Sequence, residues 1–63
     1  MAEFTVENHG AIFILTPHTE AGRDWADTHI PDDAQTVGAS IAVEHRYIAD
    51  IVRGIQGDGL LVE

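Results

Sequence analysis

Sixty-three residues, with no cysteine, no lysine and eleven acidic residues against three arginines, give a net charge of −8. A chain this short holds one domain, residues 1–63, near the lower limit for folding alone and too small to enclose a deep cleft. Disulfides, cysteine-held zinc and a thiol nucleophile are excluded by composition. The charge repels nucleic acid and anionic membrane; it reads either as plain solubility or as a surface that meets a protein with a basic patch.

The first ten residues, MAEFTVENHG, lack the basic start and apolar core of a signal peptide. The longest apolar run, Ala11 to Leu15, is far short of a membrane span. A cytoplasmic location is the expectation.

Residues 3–8 alternate, with Phe4 and Val6 against Glu3, Thr5 and Glu7, which predicts a half-buried strand. Asn8-His9-Gly10 signals a turn, and residues 11–15 predict a second strand closing a hairpin. That strand is apolar on both faces. Helices can cover one face of a small sheet, so a second apolar face calls for another cover. A homodimer joined through Ala11, Phe13 and Leu15 is one expectation; partial exposure, or burial under a loop, is the other.

Thr16-Pro17 ends the strand, and Thr19 is a candidate N-cap with Glu20 in the first turn. Residues 20–29 predict a helix that Pro31 terminates. Ala21, Trp25 and His29 form one stripe; Glu20, Asp24 and Asp27 form another, with Arg23 placed to pair with Asp27. Gly22 costs this helix about 1 kcal/mol relative to alanine. Residues 35–44 read as extended, with Ile41 and Val43 alternating against Ala42 and Glu44, and Gly38 marking a bulge or the strand's true start. Tyr47, Ile48, Ile51, Val52 and Ile55 then fall within about 140° of a helical wheel, opposite Asp50, Arg53 and Gln56.

The glycine-rich end, GIQGDGL, follows a helix and precedes a short apolar strand, Leu60 to Val62. A phosphate loop needs the reverse order, strand then helix. Gly57 therefore reads as a left-handed helix stop and Asp58-Gly59 as a turn. The element order is ββαβαβ: an α+β fold in two layers, one small sheet with two helices on one face. Were the third and fourth strands parallel neighbours, their crossover would be right-handed.

None of the four histidines stands in an HxxxH or HExxH spacing. His29 and Asp32 can meet across the loop, but surface or capping roles are expected for all four, with no metal ligand set and no cofactor. Asp32-Asp33 reads as loop solvation. Ser40, the one serine, lacks the surroundings of a nucleophile. The expectation is that the chain is not an enzyme. Trp25 and Tyr47 are expected to serve the core; with an exposed edge, Trp25 becomes a contact residue beside the acidic stripe.

The segments FTVENHG, DDAQ, VEHRYIADIV and GIQGDGL resemble a group of small proteins of bacteria and their phages. The resemblance spans almost the whole chain. It brings no activity and no site residue, and implies an origin consistent with a host-directed regulator or inhibitor. Together these readings predict a small acidic protein that binds another protein through Glu20, Asp24, Trp25, Asp27, Asp32 and Asp33. A structural homo-oligomer and a histidine-based metal-binding protein stand as alternatives.

Overall fold

In the computed structural model, which describes residues 2–31 and 33–63, the expected hairpin forms from strands β1 (Phe4–Asn8) and β2 (Ile12–Pro17). Gly10 turns the hairpin at φ +87°, and its N–H donates to Asn8 Oδ1 at 2.8 Å. Helix α1 (Glu20–His29) begins where Thr19 Oγ1 accepts from Gly22 N–H at 3.0 Å. It ends at Ile30, extended ahead of Pro31.

The run at 35–44 is not one strand. It folds into β3 (Thr36–Val37) and β4 (Ser40–Glu44), and Val37 opposes Ser40 across Gly38-Ala39. Gly38 has φ +61° and no non-glycine residue described has a positive φ, the pattern of a two-residue hairpin with glycine first. Helix α2 (His45–Gly57) follows directly. Glu44 provides no side-chain cap; instead the His45 N–H donates to the Ala11 carbonyl at 3.0 Å.

Helix α2 stops two residues later than the sequence suggests. The positive φ belongs to Gly59 (+85°), not Gly57. Gly59 N–H donates to Gln56 O at 3.0 Å and Leu60 N–H to Ile55 O at 3.2 Å, the paired bonds that close a helix over a left-handed glycine. The expected final strand is reduced to a bridge between Val62 and Phe4, running parallel to β1. Its ladder is nevertheless real: Phe4 N–H donates to Leu61 O at 3.1 Å, Glu63 N–H to Phe4 O and Val6 N–H to Glu63 O, both at 3.0 Å. The sheet order is β1-β2-β4-β3, all antiparallel, with this segment beside β1. The crossover through α2 thus joins parallel segments that are not neighbours.

The architecture is α+β in two layers. Register places Phe4, Val6, Phe13, Leu15, Ile41 and Val43 on one sheet face, because Val6 opposes Leu15, Leu15 opposes Ile41 and Phe13 opposes Val43. Both helices pack there, through Trp25, Ala26, Ile48 and Ile55. Tyr47 is not part of this core. It is 49% exposed, and the Arg46 guanidinium lies 4.9 Å from its ring centroid.

The inward row of α1 is Gly22, Trp25 and Ala26, with Ala21 exposed. Gly22 reverses its sequence reading. A Cβ there would sit 2.7 Å from the Glu3 carbonyl oxygen, so glycine is what lets α1 approach the chain entering β1. At Gly54 a Cβ would meet Trp25 Cζ2 at 3.4 Å, an ordinary contact. Gly22→Ala is expected to destabilise the fold by about 1–3 kcal/mol despite its better helix propensity. Gly54→Ala is expected to be neutral or to stabilise by up to about 1 kcal/mol. Urea denaturation of the two variants checks both signs.

Candidate binding surface

Helix α1 has a 3.6-residue period, so residues 20, 24 and 27 fall within an arc of about 60° on the side away from Gly22, Trp25 and Ala26. Glu20, Asp24 and Asp27 are all exposed. Asp33 is exposed in the loop that follows, where Ala34 N–H donates to Pro31 O at 3.0 Å; Asp32 lies outside the described residues. The close charged contacts of the described residues lie elsewhere: Glu44 with Arg46 and Asp50 with Arg53 as ion pairs, and Glu7 and Asp58 beside the imidazoles of His9 and His29. Arg23 does not come within 4.0 Å of Asp27, although the spacing allows it. The α1 stripe therefore presents its charge to solvent.

Trp25 does not belong to that surface. Only 9% exposed, it faces the core, because the helix is pinned by its glycine and alanine neighbours on the same side. Its ring meets Phe4 edge-on at 6.0 Å and stacks on His29 at 4.2 Å. Its Nε1–H donates to Asp58 Oδ2 at 2.6 Å. His29 Nδ1 lies 3.0 Å from the Trp25 carbonyl oxygen and Nε2 lies 3.7 Å from Asp58 Oδ2. Sequence reading missed Asp58 as the partner of both rings. The two sit 29 and 33 positions away along the chain, and only the tertiary packing of α1 on α2 unites them.

The expected oligomer patch is also displaced. Leu15 is fully buried and Phe13 half-buried, both beneath the helices, while Ala11 is an exposed turn residue. A one-residue change of phase moves a strand's whole side-chain set to the other face. The face without helices carries Ile12, Ile14 and Ala42, with Ile14 opposite both Glu7 and Ala42. A hydroxyl row borders it, where Thr16 Oγ1 and Ser40 Oγ share a hydrogen bond of 2.7 Å and Thr5 Oγ1 bonds His18 Nε2 at 2.8 Å.

Two concavities flank the helices. A cleft of about 380 Å³ lies between α1 and the β3–β4 hairpin, with Arg23, Asp27, Thr36 and Ser40 on its walls. A shallower groove of about 460 Å³ runs between α2 and β1, lined by Val6, Phe13, Ile48, Val52 and Val62. No histidine lines either one. Ser40 Oγ is engaged by Thr16 rather than by a base. Among the described residues no three of His, Asp and Glu converge on a metal-sized space, and no helix is long and apolar enough to cross a membrane.

No family model, curated protein or solved structure matches the chain.

The Asp58 carboxylate holds a partly buried indole N–H, so Asp58→Ala leaves that donor without its partner. A loss of about 1–2 kcal/mol is expected. Asp58→Asn keeps an acceptor oxygen and is expected to lose less. Denaturation followed by fluorescence of Trp25, the one tryptophan, measures both.

Proposed function

We propose that this chain is a non-enzymatic acidic protein that acts by binding another protein bearing a basic patch, as a phage- or mobile-element-encoded regulator or inhibitor in the cytoplasm. The observation that carries the reading is the outer face of α1. Glu20, Asp24 and Asp27 share one exposed arc, and none takes part in the ion pairs of the described residues. Such a stripe steers a positive partner during approach, while neighbouring apolar contacts fix the complex. Asp33 extends the same charge into the next loop. Nucleic acid and anionic membrane are disfavoured as partners by the net charge of −8.

With a captured partner in hand, the double substitution Asp24→Asn and Asp27→Asn is expected to slow association several-fold and to flatten its salt dependence, leaving dissociation little changed. Association rates equal to the parent's at low and moderate salt would overturn the site.

A second reading, a structural homodimer, is favoured by the open sheet face. Ile12, Ile14 and Ala42 form an apolar centre with no helix over it. The interface residues are then these three rather than Ala11, Phe13 and Leu15. Sedimentation is expected to give twice the chain mass at high concentration, and the single-chain mass for Ile14→Glu. A single-chain mass for the parent removes this reading.

A further inference from the structure

We propose that His29 and Asp58 form a two-ligand site for a divalent transition metal of the zinc, nickel and copper group. The geometry begins with the ring orientation. The Trp25 carbonyl can only accept a hydrogen bond, so His29 Nδ1, 3.0 Å away, carries the proton. In the neutral ring this leaves the Nε2 lone pair free, and Nε2 lies 3.7 Å from Asp58 Oδ2. The carboxylate is held in turn, because the Trp25 Nε1–H donates to Oδ2 at 2.6 Å. Metal-binding imidazoles commonly donate their second ring N–H to a backbone carbonyl, and their carboxylate co-ligands are themselves hydrogen-bonded. Both supports come here from one residue, Trp25.

The separation fits as well. Two ligands at about 2.0–2.1 Å from a tetrahedral ion lie about 3.3 Å apart. Closing from 3.7 Å needs only a small side-chain rotation. The two side chains are 46% and 54% exposed, so an ion and its waters have access. No third His, Asp or Glu among the described residues joins the pair, so water or an incoming group fills the remaining positions. An imidazole nitrogen with one carboxylate selects nickel, copper and zinc over magnesium or calcium. A proton on Nε2 competes for the same place and would make the pair a simple ion pair. The site is independent of the protein-binding reading, and either stands without the other.

The one tryptophan reports on the site directly, since its ring stacks on His29 with centroids 4.2 Å apart. Titration of the full chain with nickel(II) or copper(II) at neutral pH is expected to quench Trp25 fluorescence saturably. His29→Gln is expected to weaken binding at least tenfold, and Asp58→Asn by about tenfold. His9→Gln and His18→Gln are expected to leave the curve unchanged. Absence of saturable quenching, or the same curve for His29→Gln, overturns the site. Because His29→Gln also loses contacts to Trp25, zinc titration of the unaltered chain by NMR gives a second measure. The His29 ring signals are expected to move first; movement of another histidine first, or of none, overturns the site equally.

Discussion

Trp25 is the side chain through which the parts of this fold meet. Its ring stands edge-on to Phe4 at the base of the sheet, its six-membered ring faces Gly54 of α2, and its N–H reaches Asp58 beyond the end of α2. A chain without cysteine has no disulfide to compensate for a small core, so packing must supply the stability. The neighbours of Trp25 on its own helix are small for this reason. Gly22 and Ala26 let α1 lie close to the sheet, and one large ring fills the space between the two helices. The Asp58 bond adds direction to that packing. It ties the C-terminal turn to α1, and the same turn carries the chain into its pairing with β1.

Placing both helices on one side determines what the other surfaces offer. The second sheet face is half apolar and half hydroxyl-lined, and among the described residues no helix covers it. The charge is unevenly managed. The arginine–carboxylate contacts, Arg46 with Glu44 and Arg53 with Asp50, are between exposed groups close in sequence, a type that contributes little to stability. The acids of α1 have no such contact among the described residues. A net charge of −8 on a body with a radius of gyration of 10.5 Å is self-repelling.

Much of this fold can be read from local pattern, and the failures have a common origin. Period-two alternation marks Phe4 and Val6, and again Ile41 and Val43; Thr19 and Pro31 bracket α1 where capping rules place its ends. The run Ala11 to Leu15 carries no alternation, so its inward set is decided only by pairing with β1 and β4. Gly38 was visible as a break but not as a turn, because a two-residue β3 leaves almost no periodic signal. Gly22 has no side chain to mark a face, so the stripe drawn through Ala21 took the wrong side of Trp25, and the true one runs through Gly22 and Ala26. Trp25 shares its helix with the acidic stripe and not its face. The acids themselves lie where helical spacing puts them, while Asp58 joins Trp25 and His29 only through tertiary packing.

The acidic stripe is not explained by the needs of α1 itself. Glu20 sits in the first turn, where a carboxylate complements the helix dipole. Asp27 sits in the last turn, two residues before His29 ends the helix, where a carboxylate opposes that dipole. Aspartate is also among the weaker helix formers, which applies to Asp24 as well. No ion pair to either residue offsets these local costs among the described residues. Two of the three stripe positions are thus occupied by residues that local helix stability disfavours. The inward row of the same helix is set by packing against Glu3, Phe4 and Gly54, so the outward row is free to vary without disturbing the fold. Carboxylates at such positions are what the proposed protein-binding role asks of this surface, and not what the helix asks.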